Sequence, residues 1–163
     1  MLDKLKLYIN NNYIEDVFTS SFKKAKYSFF ADCSEKSLNT SITTYIDDNK
    51  DENVFQKLLF KHIDDRGLKD SDVYNKVHID RRLFSKIRGD SNYHPSKETI
   101  LLLGLSLELN EKEIVELLES ASYSLPKNNY YDLIIRFCFV EGIYKLSDVN
   151  ELLDSYKCKL FNY

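Results

Sequence analysis

The sequence predicts an all-α protein, an orthogonal bundle of short helices. Three observations lead there. Apolar residues recur at helical spacing with little interruption from residue 53 onward. The 163 residues include only 4 Gly and 2 Pro, too few for the turns of a multi-stranded sandwich or barrel. Good helix caps stand where apolar stripes begin, Ser96 before one and Asn110 with Glu113 before the next. The length suits one domain, or one domain with a helical extension, and is enough to bury a sizeable core. A composition 43% hydrophobic and 30% charged belongs to a soluble globular chain.

Residues 1–52 read differently from the rest. Asn10, Asn11 and Asn12 stand in a row, and Phe18, Phe22, Tyr27, Phe29 and Phe30 are scattered without a clean period. Leu38, Ile42, Tyr45 and Ile46 follow i, i+4, i+7, i+8, which suggests one short helix. The run DDNKDE over residues 47–52 is a solvated break. Residues 1–52 are therefore expected to form an aromatic and polar extension, 53–110 a core, and 111–163 helices that pack on it or form a dimer interface.

Within the core, Phe55, Leu58, Leu59 and Ile63 share one stripe, which Gly67 ends. Ser96 opens a helix burying Ile100, Leu103, Gly104 and Leu107. Asn110 and Glu113 open another, burying Ile114, Leu117, Leu118 and Ala121. Residues 131–140 (YDLIIRFCFV) are apolar all round, the mark of a central helix. Ser147 is expected to cap a last helix burying Val149, Leu152, Leu153 and Tyr156.

One segment concentrates charge of a single sign. Residues 68–90 read LKDSDVYNKVHIDRRLFSKIRGD, two short helices joined by a tight turn near residues 77–79. The first would bury Leu68, Val73 and Val77. The second opens at Asp80 and would bury Leu83, Phe84 and Ile87, leaving Arg81, Arg82, Ser85, Lys86 and Arg88 outward. Residues 78–97 carry five basic and two acidic side chains, a net +3, whereas residues 108–154 carry ten acids and four bases, a net −6. The whole chain is at −3, so a nucleic-acid contact would have to be local. A cationic helix on an acidic body suits a duplex groove, where long side chains meet phosphates and the helix end meets base edges.

Residues 54–110 resemble the lambda-repressor-like (XRE-type) helix-turn-helix domain. Leu68, Val73, Val77, Arg81, Ser85 and Ile87 stand in that family's pattern, and His94, Pro95, Ser96 and Thr99 look like its Pro-Ser-x-x-Thr start of a fourth helix. The chain from 54 to about 153 also resembles a helical module found C-terminal to macro domains in Gram-positive bacteria. That likeness rests on "DVYNKVHIDRRLFSKIRGD", "PSKETILLLGLSLELN" and "YDLIIRFCFVEGIY". The resemblance implies a helix-turn-helix core that binds duplex DNA and regulates transcription in the bacterial cytoplasm, as a homodimer. Arg81, Arg82, Ser85 and Lys86 would face the major groove, and Arg88 and Lys97 would hold phosphates. The module likeness implies an alternative, a protein–protein adaptor or sensor in a stress or anti-phage defence system, with residues 1–50 as docking arm. Three positions depart from the family. Tyr74 replaces a small Ala, His78 replaces a turn Gly, and Asp70 replaces a Gln. A wider helix crossing or a different turn is therefore expected.

Other chemistries find little support. No two glycines stand close enough for a phosphate loop. Cys33, Cys138 and Cys158 lack the spacing of a disulfide framework or zinc site. His62, His78 and His94 make no metal-ligand pattern. No metal, cofactor or enzymatic activity is expected. The 12 tyrosines, including Tyr123, Tyr130 and Tyr131, are expected to pack in the core and rim rather than stack on single strands. No apolar run is long enough for a membrane helix, and MLDKLKLYIN does not read as a signal peptide.

Overall fold

A computed structural model describes residues 1–14, 42–45 and 53–162. Its described residues are helical with no strand, so the fold is all-α as expected. The helices are α1 (Leu2–Asn12), α2 (Val54–Asp65), α3 (Asp70–Lys76), α4 (Arg81–Gly89), α5 (Lys97–Ser106), α6 (Glu111–Ser120), α7 (Tyr130–Glu141) and α8 (Leu146–Ser155). No helix of the described residues is long and apolar enough to cross a membrane.

Helix α5 is the centre. Residues 100–106 are all buried, because every face of ILLLGLS meets a neighbour. Helix α3 packs on one side and α6 on another. Helix α7 is buried nearly all round, packing against α6, α8 and α1. The two expected caps form as local chemistry dictates. The Ser96 hydroxyl accepts from the Thr99 amide at 3.2 Å, and Asn110 Oδ1 accepts from the amides of Lys112 and Glu113 at 3.0 and 3.1 Å. Glu113 completes a reciprocal box on the Asn110 amide and grips Arg66 with both oxygens at 3.0 and 2.9 Å. Burial works against ionisation of Glu113. The Asn110 amide and the Arg66 guanidinium overcome it and hold the carboxyl below its usual range.

Three expectations are corrected. Residues Met1–Asp16 join Asn53–Tyr163 in one compact unit, while Val17–Glu52 form another. The amphipathic α1 buries Leu5 and Ile9, and Tyr8 meets the Phe137 ring at 5.4 Å between centroids. The first residues are thus core rather than extension; residues 111–163 pack on 53–110 through the α2–α6 and α5–α6 contacts. Leu68 is 37% exposed, because Gly67 at φ 61 turns the chain away after α2. The last helix begins at Leu146, with Lys145 as N-cap, because Leu146 is itself buried; the Ser147 hydroxyl instead donates to Asp148.

Residues 42–45 are helical, in line with part of the short helix expected there. Leu38, Ile46, Cys33, the phenylalanines of residues 18–30 and the acidic break at 47–52 lie outside the described residues.

Candidate nucleic-acid interface

Helix α4 is held from below by aromatic packing. Phe84 is 2% exposed and meets Phe60 of α2 edge-on at 6.2 Å and Tyr74 of α3 at 5.5 Å. Ile87 is wholly buried beside them. At the far end, the Gln56 amide of α2 donates to the carbonyls of Ile87 and Asp90 at 2.7 and 2.8 Å. It satisfies carbonyls that the helix end would otherwise leave open. Sequence reading missed Gln56, since its partners lie more than thirty residues away.

The turn before α4 holds a non-glycine residue in the left-handed region. His78 adopts φ 56. An L-residue there costs roughly 1–2 kcal/mol that glycine would avoid. That strain is local to the turn, and Tyr74 packs on Phe84 where α3 meets α4. Asp80 then caps α4, its carboxylate accepting from the Arg82 amide at 2.6 Å.

The six expected contact residues separate into two groups. Arg81, Arg82, Ser85 and Lys86 are exposed on one face of α4. Arg81 and Arg82 make no ion pair among the described residues, and Lys86 lies over the Tyr93 ring at 4.5 Å, with no carboxylate. Arg88 and Lys97 are already engaged. Arg88 Nη2 meets Asp70 Oδ1 at 2.5 Å, and its guanidinium covers the Phe60 ring at 4.0 Å. Lys97 Nζ reaches Asp132 Oδ1 at 2.5 Å, and that carboxylate side chain is only 6% exposed. Drawing Lys97 away to a phosphate would leave that nearly buried carboxylate with the Asn129 amide as its remaining side-chain partner, at a cost in stability.

Two arginines in the first turn of α4, with no ion pair among the described residues, are electrostatically unfavourable. A helix N-terminus carries about half a positive charge, and cations there destabilise by roughly 0.3–1 kcal/mol each. The Asp80 carboxylate caps that end and offsets part of the cost, while the two exposed arginines give this face a local positive charge.

The other candidates are packed into the bundle. Cys138 is buried, and burial pushes its thiol up to about 12. His62 is 8% exposed, with Nδ1 at 3.2 Å from Arg66. Tyr130 stacks on Tyr13 at 5.0 Å and lies 5.6 Å from Tyr156, and Tyr131 faces Phe161. These rings meet one another, as rim packing requires. Among the described residues no group of three or more His, Cys, Asp or Glu is placed to hold a metal ion. No family model, no curated protein and no solved structure matches the chain.

Proposed function

We propose that this chain is a helix-turn-helix protein that binds duplex DNA through α4 and regulates transcription in a bacterial cytoplasm. The observation that carries the reading is the pair Arg81 and Arg82, exposed and without carboxylate partners among the described residues, in the first turn of a well-packed helix. The resemblance of residues 54–110 to XRE-type domains supports it. Arg81 and Arg82 reach base edges or phosphates, Ser85 offers a hydroxyl at the middle of the outward face, and Lys86 meets a phosphate at the side. The reading assigns no catalytic step, cofactor or metal. It pairs two copies on two half-sites, as this docking mode does elsewhere.

The test is fluorescence anisotropy with a labelled 20-base-pair duplex at several salt concentrations. Three engaged cations give a slope of about −2.7 in log affinity against log salt for each copy bound, and about −5.4 for the pair. A flat salt dependence, or no binding at low salt, contradicts the reading.

A further inference from the structure

We propose that the Asp70 carboxylate is an internal stand-in for a backbone phosphate, occupying Arg88 in the free protein and holding down the affinity of α4 for polyanions. The inference rests on the DNA-binding reading above and concerns the regulation of that same face.

A cleft of about 350 Å³ opens between α3 and α4, with Phe84 in its lining. Lys69, Arg81 and Arg88 bring three cationic side chains to it, Ser71 and Ser85 bring hydroxyls, and Asp70 is its one acid. The cleft thus has the composition of an anion site with an anion already in it. Asp70 and Arg88 are 37% and 49% exposed, so water screens their attraction and the pair is displaceable. Arg88 need not move when the carboxylate leaves, because the Phe60 ring beneath it holds the guanidinium in place.

A phosphodiester carries the same single negative charge as a carboxylate, and its two non-bridging oxygens fit the guanidinium fork in the same way. Exchange of Asp70 for a phosphate leaves Arg88 paired but sets the carboxylate free beside a polyanion. The phosphate releases its counterion while Asp70 gains one, so Arg88 adds almost nothing to the wild-type salt dependence. Asp70 is in this way a governor on affinity.

The experiment is the same 20-base-pair duplex titration with Asp70→Asn and with Asp70→Asn/Arg88→Met in the full chain. Asp70→Asn tightens binding about twofold to fivefold at low salt. It also steepens the log–log slope by about 0.9 per copy bound, the contribution of one newly counted phosphate each. The double variant, which keeps an unbranched side chain on Phe60, returns the slope to the wild-type value. Asp70→Asn binding with wild-type slope and affinity, or more weakly, overturns the proposal while the DNA-binding reading stands. Absence of any duplex binding by the wild-type chain overturns both. Loss of fold cannot imitate the expected result, since an unfolded variant does not gain affinity.

Discussion

Replacing Arg81 and Arg82 together by alanine weakens duplex binding at least about thirtyfold and leaves the fold as stable as before, or more so. Each arginine that makes a good contact to a base edge contributes about 1–3 kcal/mol, so losing two removes about 2–6 kcal/mol. The lower bound converts to the thirtyfold figure. The stability side has the opposite sign. Both side chains are exposed, neither has a carboxylate partner among the described residues, and both stand at the positive end of α4. Removing them relieves repulsion from the helix end, worth less than about 1 kcal/mol each because the Asp80 cap already offsets part of it. A solvated face with no ligand would show the second effect without the first. The pairing of lost affinity with retained or raised Tm therefore separates a binding face from a charged surface that only packs. Anisotropy titration and thermal unfolding of the same sample measure the two.

Gly104→Val destabilises the bundle by about 3 kcal/mol. Gly104 lies inside α5, where glycine is weaker than alanine by roughly 0.5–1 kcal/mol, so its presence needs a cause. The cause is the close approach of α6 and α7. A Cβ at this position would stand 2.4 Å from Ile114 Cδ1 and 3.2 Å from Phe139 Cζ. Ile114 is wholly buried and Phe139 is 2% exposed, so neither has open space to move into. The substitution adds a branched side chain to a site too tight for one carbon. Urea unfolding followed by circular dichroism should show a lower midpoint with little change in m-value. An unchanged midpoint would mean that the three helices can separate at no cost.

What could be read from the sequence was local. Ser96 and Asn110 cap the helices they precede because a cap needs only its own chain two or three residues on. Val73, Val77, Phe84 and Ile87 are buried as their spacing implies. The exposed set on α4 follows by complement. What stayed hidden was long-range. Helix α1 buries only Leu5 and Ile9 in full, against a helix more than a hundred residues away, and so short a stripe is lost among scattered aromatics. Lys97 looks like a free cation beside a basic helix until Asp132 arrives from α7. Arg88 likewise reads as part of the cationic face until Asp70 folds back onto it. Leu68 reads as apolar and hence buried, but the turn at Gly67 decides otherwise. Spacing fixes which face of a helix is wet, whereas the pairing of each charge on that face depends on the other helices.

The central claim is that an anionic duplex meets the protein at α4 and nowhere on the acidic helices. Amide chemical shifts of the labelled protein, followed during titration with an unlabelled duplex at low salt, test it most directly. The account predicts shifts concentrated in residues 80–89, with weaker ones at the start of α3 and none in α7 or α8. Shifts centred on residues 108–154, or spread evenly over the surface, would contradict it.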